Sequence, residues 1–110
     1  MAWVARLSHV FHELRVVYNA RDAASAGVRQ FLEEYYSFVK ELNPGLPVYV
    51  RPFDGVREPY VAVRRSDGSY ATRQLTNLSA RAVLRQIKEL TDVALPLDPV
   101  VRRRQLADIV

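Results

Sequence analysis

The sequence predicts an α/β fold in which two helices cover a four-stranded mixed sheet, in the order strand, helix, strand, strand, strand, helix. Three observations support this prediction. Residues 13–19 alternate apolar and polar side chains and include two adjacent valines, a pattern typical of a strand. Apolar residues from Val28 to Leu42 recur at helical spacing. Residues 66–69, Ser-Asp-Gly-Ser, contain the Asp-Gly pair of a tight β-hairpin.

The first strand and the first helix begin a β-α-β unit, whose strands are expected to be parallel and joined by a right-handed crossover. In the strand, Leu14, Val16 and Tyr18 share one face. Ser25 stands where the helix needs an N-cap, and residues 43–45, Asn-Pro-Gly, end the helix because proline cannot continue it. The helix carries one apolar stripe, formed by Val28, Phe31, Leu32, Tyr35, Val39 and Leu42.

Three further strands and a second helix follow. Prolines bound a short strand at 47–52, and Pro59 precedes a strand at 60–65. The hairpin then leads into a partner strand at 70–75. Ser79 is suited to cap a helix with one apolar stripe, formed by Ala80, Val83, Ile87 and Leu90. The residues at the middle of the two stripes, expected to be buried against the sheet, are Phe31 and Val83.

Residues 1–12 form a lead-in before the predicted domain of residues 13–91. The lead-in has no acidic residue, and its apolar side chains recur at helical spacing: Trp3, Leu7, Val10 and Phe11. A basic, amphipathic start is typical of a mitochondrial import signal, and it is equally consistent with a short segment that packs on the domain. The two interpretations are compatible if the segment is never cleaved.

Residues 92–110 form a C-terminal extension of different composition. Asp98 and Pro99 are suited to begin a short helix, which is too short to be stable without packing. Its apolar side chains need burial and its arginines need partners, so we expect it to lie along a neighbouring subunit. A tail without fixed packing is the alternative. The candidate contact residues in the extension are Arg102, Arg103, Arg104, Leu106 and Ile109.

Composition argues against most classes of catalysis. The sequence has no Cys, which removes disulfides, thiolate metal sites and thiol chemistry. Its two histidines, His9 and His12, are too few for a metal site alone. Glu33 and Glu34 are neighbours on a helix and point in different directions, so we do not expect them to act as an acid–base pair. No apolar run approaches the ~18 residues of a membrane helix. We therefore expect no catalytic residue, no cofactor, no metal and no membrane insertion.

The remaining candidate is a basic surface, since Lys and Arg exceed Asp and Glu by sixteen to twelve. It comprises Arg51, Arg57, Arg64, Arg65 and Arg73, with Tyr49, Tyr60 and Tyr70 nearby. Such a surface could stack on and neutralise RNA. The alternative, which we favour, is that these arginines pair with Glu58, Asp67 and Asp54 or with a protein partner, so no nucleic acid is expected. Tyr36 and Phe38 flank the apolar stripe of the first helix and are further candidate interface residues.

Several segments carry a family resemblance: residues 27–33, 42–44, 46–51, 55–59 and 78–80. On these segments the chain resembles, over about residues 1–91, the family that a small accessory subunit of respiratory complex I shares with two mitochondrial ribosomal proteins. The start Met1-Ala2-Trp3, the Leu46-Pro47 pair and the lack of a basic residue before Gly27 favour the complex I branch. A mitochondrial ribosomal protein that binds rRNA is the alternative.

The resemblance implies a thioredoxin-like fold without the thioredoxin active site. It also implies a non-catalytic subunit of mitochondrial complex I, on the matrix side of the inner membrane and docked to the large iron–sulfur subunit of the peripheral arm, near the NADH-oxidising end. Some members carry two cysteines suspected of forming a redox-sensitive disulfide, and the corresponding positions here are Asn19 and Phe53. Because thioredoxin-like folds open a strand with a cis-proline at this point, we expect a cis Glu58–Pro59 bond.

Overall fold

Four strands form one mixed sheet in a computed structural model that describes residues 2–55 and 57–97. The strands are β1 (Glu13–Tyr18), β2 (Val48–Pro52), β3 (Tyr60–Arg64) and β4 (Tyr70–Gln74), in the order β2-β1-β3-β4. Strand β1 runs parallel to β2 and antiparallel to β3, and β3 runs antiparallel to β4. The helices are α1 (Leu7–Val10), α2 (Ala26–Leu42) and α3 (Ala80–Asp92). The predicted mixed sheet and element order are confirmed, and the architecture is compatible with a thioredoxin-like fold.

The core lies between one face of the sheet and the two long helices. Leu14 and Val16 of β1 contribute to it from the sheet, and each is only 1% exposed. Phe31 of α2 and Val83 of α3 meet them from the helix side at 2% and 0% exposure, which confirms the predicted burial of both residues. The Ser79 hydroxyl accepts a hydrogen bond from the Ala82 N–H and caps α3 as expected.

Two details of α2 differ from the prediction. A 3₁₀ turn, Ala23–Ser25, leads into the helix, and the Asp22 side chain caps that turn by accepting from the Ala24 N–H. The Ser25 hydroxyl therefore makes no cap and instead accepts from the Asn19 N–H at 3.0 Å. Leu42, predicted to be in the core, is 39% exposed. It is the last residue of the helix, and the space beside it is filled by Leu46, which is fully buried.

The start of α2 packs directly on the loop that precedes α3. A Cβ atom on Gly27 would lie 1.6 Å from the Leu78 carbonyl oxygen, so only glycine fits this contact. The backbone N–H of Asn77 also donates to the Ala24 carbonyl at 2.9 Å. This close approach fixes the two helices against each other on the same face of the sheet.

The N-terminal segment is part of the same core. After a 3₁₀ turn at Ala2–Arg6, helix α1 brings apolar side chains onto the sheet, and four residues of the segment are buried to 2% exposure or less: Val4, Leu7, Val10 and Phe11. Fully buried Asn43, just after α2, holds the segment in place. Its side-chain N–H donates to the Val4 carbonyl at 2.8 Å, and its oxygen accepts from the Ser8 N–H at 3.0 Å. Residues 2–12 therefore pack on the domain, as one of the two interpretations of the sequence predicted.

The first part of the C-terminal extension also packs on its own domain. The Leu97 N–H donates to the His9 carbonyl at 2.8 Å, and the Leu97 side chain is 7% exposed. The expectation that the extension lies along a neighbouring subunit is therefore wrong up to Leu97, because the N-terminal segment offers an apolar surface within the same chain. The candidate contact residues Arg102, Arg103, Arg104, Leu106 and Ile109 lie outside the described residues.

The prediction of a cis-proline at Pro59 is wrong. The described residues contain no cis peptide bond, so Glu58–Pro59 is trans. Pro59 is buried, and its carbonyl accepts from the Leu75 N–H at 2.8 Å, which extends the pairing of β3 with β4 by one bond. A trans bond satisfies this pairing, and it is the form that X–Pro bonds prefer by about 0.5–1 kcal/mol.

We expect Asn43→Ala to lower the free energy of unfolding by on the order of 3 kcal/mol, because the buried Ser8 N–H and Val4 carbonyl lose their partners. Urea unfolding of the purified chain measures this loss. Glu41→Ala, exposed on the last turn of α2, is the control and should change stability by less than about 0.5 kcal/mol. Equal stability of the two variants would show that Asn43 does not hold the N-terminal segment.

Phe31→Ala should cost about 3–5 kcal/mol of stability, since it opens a cavity at the centre of the core. The change also removes the ring contact with Tyr35, whose centroid lies 5.7 Å away. The measurement is thermal unfolding, with exposed Glu34→Ala as the control from the same helix. In cells the expected phenotype is loss of the protein and of its assembly. A wild-type melting temperature for Phe31→Ala would contradict the core assignment.

Leu97→Ala should destabilise the chain by about 2 kcal/mol, because Leu97 is buried against the N-terminal segment. Leu95→Ala is a matched control two residues away, since that side chain is 73% exposed. Denaturant unfolding of both variants tests whether the extension contributes to the domain's own stability. If the two substitutions have the same small effect, Leu97 contributes nothing and the extension is not part of the fold.

Candidate interaction surface

The sheet has an open face, opposite to the helices, that no element of the described chain covers. Because side chains alternate along a strand, the registers assign every second strand residue to it. The residues of the open face are Glu13, Arg15, Val17, Tyr49, Arg51, Tyr60, Ala62, Arg64, Tyr70, Thr72 and Gln74. Contacts on the other face place both long helices there: Arg73 of β4 donates to Glu89 of α3, while Tyr18 of β1 lines a groove with Leu32 of α2.

Two arginines flank one tyrosine on the open face. The Cζ atoms of Arg15 and Arg51 each lie 5.2 Å from the centroid of the Tyr49 ring, within the range of a cation–π contact. Arg15 also donates to the Glu13 carboxylate over a long 3.4 Å, and its Nε atom is buried without an acceptor among residues 2–55 and 57–97. The pair of guanidinium groups is therefore held in position, while the hydrogen-bonding capacity of Arg15 is not filled.

Glu13 is the acidic residue at the centre of this arrangement. Its carboxylate accepts hydrogen bonds from Arg15 and from the Tyr70 hydroxyl, and its side chain is only 12% exposed. The hydrogen bond to the carboxylate raises the pKa of Tyr70, because it stabilises the protonated hydroxyl. The Glu13 carboxylate therefore already has two hydrogen-bond partners within the chain.

The other basic candidates are distributed differently from the prediction. Arg73 lies on the helix face and pairs with Glu89 at 3.2 Å. Arg65 donates to the Ser69 hydroxyl at the hairpin. Neither pairs with the acids proposed from sequence: Glu58 accepts from Gln74, and Asp67 accepts from Ser69, whose hydrogen bonds lower the pKa of Asp67. In the described part of the chain these arginines form no salt bridge with Glu58, Asp67 or Asp54, although the charge of Arg65 adds to the lowering of the pKa of Asp67.

Tyr36 and Phe38 do not form one surface. Tyr36 is 37% exposed and lines an open groove of roughly 450 Å³ between α2 and the edge strand β2, together with Tyr18, Leu32 and Val50. Phe38 is partly buried and packs against the core instead. The groove is on the helix side of the sheet, so it is separate from the open face.

Asn19 and Phe53, the two positions to which the family resemblance drew attention, are neighbours in space. The Phe53 N–H donates to the carbonyl of Tyr18, the residue before Asn19, at 2.8 Å. The Asn19 side chain donates to the Asp54 carbonyl at 3.1 Å, and its oxygen accepts from the backbone N–H of Asp22. Hydrogen bonds therefore join the end of β1 to the end of β2, and the sequence has no cysteine that could form a disulfide there.

Sequence reasoning did not single out Arg15 and Glu13, although a signal was present. The alternation that puts Leu14 and Val16 in the core puts both charged residues on the opposite face. That face is open because both long helices pack on the other side of the sheet, which the sequence did not predict. In the described part of the chain no three His, Asp or Glu side chains are grouped to hold a metal, and no helix there is long and apolar enough to span a membrane.

Comparison with known proteins identifies the family. The protein named NADH dehydrogenase [ubiquinone] 1 alpha subcomplex subunit 2 from Arabidopsis thaliana is 33% identical over 90 residues, which cover 82% of this chain and 92% of the relative. The chain belongs to this alpha subcomplex subunit 2 family. The Mus musculus protein of the same name is 35% identical over 78 residues, or 71% of this chain and 78% of the relative. No protein-family model matches the chain.

Membership of the subunit 2 family confirms the complex I side of the predicted resemblance. The link to ribosomal proteins stays a prediction.

Proposed function

We propose that the chain is a non-catalytic accessory subunit of mitochondrial complex I, bound to other complex I subunits on the matrix side of the inner membrane. Its chief neighbour in this proposal is the large iron–sulfur subunit of the peripheral arm. The observation that carries the proposal is the similarity to a complex I subunit along 92% of that relative's length. At this coverage the relative has little sequence left for a domain that this chain lacks.

The chemistry of the chain supports a binding role. A thioredoxin-like domain does redox work through thiols, and this sequence has none. The polar groups of the open face are guanidinium, phenol and amide groups around one engaged carboxylate, a set suited to binding another surface. A protein that acts by binding needs a stable fold and an accessible surface, and this chain has both.

The position of the N-terminal segment bears on import into mitochondria. Cleavage after residue 12 would remove Val4, Leu7, Val10 and Phe11 from the core. Burial of four such side chains contributes about 1.5–3 kcal/mol each, a large part of the ~5–15 kcal/mol that stabilises a domain. The mature subunit therefore retains residues 2–12 in this proposal, and import proceeds without their removal.

The test is blue-native electrophoresis of mitochondria from the source organism that express a tagged copy of the full chain. We expect the tag to migrate with NADH dehydrogenase activity, and cross-linking to recover the large iron–sulfur subunit. An unrelated tagged matrix protein is the control for non-specific migration. Co-sedimentation of the tag with ribosomal subunits, without the NADH dehydrogenase band, would instead favour the ribosomal alternative.

A further inference from the structure

We propose that the open face is the docking surface of this subunit, and that it binds a protein surface of a neighbouring complex I subunit that carries several Asp or Glu carboxylates. The inference rests on the proposed function, since it specifies where and by what chemistry the subunit is held. The sequence prediction placed Arg51 and Arg64 on a basic surface, whereas the structure adds Arg15 and Glu13 and brings all four residues to one face of the sheet.

Charge complementarity is the first argument. Three arginines lie on the open face, Arg15, Arg51 and Arg64, against the carboxylate of Glu13 on the face and that of Glu58 at its edge. Arg51 and Arg64 are exposed and make no salt bridge with any described residue. Their guanidinium groups therefore keep their fork of donors available for bidentate pairing with carboxylates.

The arrangement of the arginines is the second argument. Tyr49 holds Arg15 and Arg51 on its ring, which reduces the side-chain freedom that binding would otherwise have to remove. Arg15 makes only one long hydrogen bond, of 3.4 Å to Glu13, and its side chain is 42% exposed, so an incoming carboxylate can reach guanidinium N–H groups that the chain leaves without an acceptor.

The shape of the face is the third argument. Val17 and Ala62, at its centre, are 8% and 6% exposed because the surrounding side chains lie over them. Two apolar side chains thus lie among aromatic and charged ones, and protein interfaces are enriched in aromatic residues and arginine. Arg51 and Arg64 stand two strands and four residues apart, or roughly 16 Å between Cα atoms at ~3.4 Å per residue and ~4.8 Å per strand. The partner's carboxylates should span a similar distance.

The same contacts argue against RNA as the occupant. A base needs an uncovered aromatic ring for stacking, and the Tyr49 ring already carries two guanidinium groups. Tyr70 donates its hydroxyl to Glu13, so a base stacked on the Tyr70 ring would bring its phosphate close to this carboxylate. A protein surface needs no free aromatic ring, and it can place carboxylates beside exposed Arg51, which lies at the other end of the face from Glu13.

The test is the double variant Arg51→Glu with Arg64→Glu, expressed as the full tagged chain in cells of the source organism whose own copy is deleted. The matched control is Arg81→Glu with Arg85→Glu, which reverses two exposed arginines on the outer side of α3. Both purified variants should melt within about 5 °C of wild type, since exposed charges contribute little to stability. If the Glu variant melts lower, Arg51→Gln with Arg64→Gln replaces it.

We expect the open-face variant to lose about tenfold or more of its co-migration with NADH dehydrogenase activity, while the α3 variant retains it. Wild-type association of the open-face variant would overturn the docking proposal and leave the proposed function intact. Failure of the wild-type chain to co-migrate would overturn the proposed function itself. Binding of a labelled single-stranded RNA to the wild type, lost in the open-face variant whose co-migration is unchanged, would assign the face to RNA and overturn the proposal.

Discussion

Side chains on a strand point alternately to the two faces of a sheet, and both long helices of this chain pack on the same face. This constraint divides the strand residues into two sets. Leu14 and Val16 enter the core, whereas Arg15, between them, lies on the opposite side. A shift of β1 by one residue would bury Arg15 and expose both apolar side chains, so the register is strongly specified. The composition of the open face is a consequence of the same alternation that builds the core.

The two ends of the described chain complete the core at its border. Asn43 satisfies the backbone of the N-terminal segment from within the protein, where water cannot. Once α1 is held, it presents its His9 carbonyl to the Leu97 N–H and provides the surface on which Leu97 is buried. The order of dependence runs from the end of α2 to the N-terminus and from there to the C-terminal extension. Two helices and four short strands bury little area by themselves, so the packing of both chain ends adds burial that a small domain needs.

Family membership and the chemistry of the surface are consistent with a protein whose role is to bind other proteins. The corner of the sheet at Asn19 and Phe53 uses hydrogen bonds, because this chain has no thiol at either position. The open face shows Tyr70 to solvent and the groove between α2 and β2 shows Tyr36. They lie on opposite sides of the sheet, so one domain can contact two neighbours without competition between them.

The sequence alone determined the element order, the burial of Phe31 and Val83, the cap at Ser79 and the Asp-Gly hairpin, because each depends on local periodicity or on the conformational preference of a few adjacent residues. The family resemblance on the complex I side was also contained in local segments.

The partners of the charged residues could not be predicted from the sequence, because pairing depends on which side chains the sheet brings together from distant positions. Glu13 and Tyr70 are 57 residues apart, and Arg73 reaches Glu89 across the interface between β4 and α3. The trans bond at Pro59, the role of the Ser25 hydroxyl and the burial of Leu97 were likewise decided by tertiary contacts, since each is fixed by a hydrogen bond or a surface that exists only after folding.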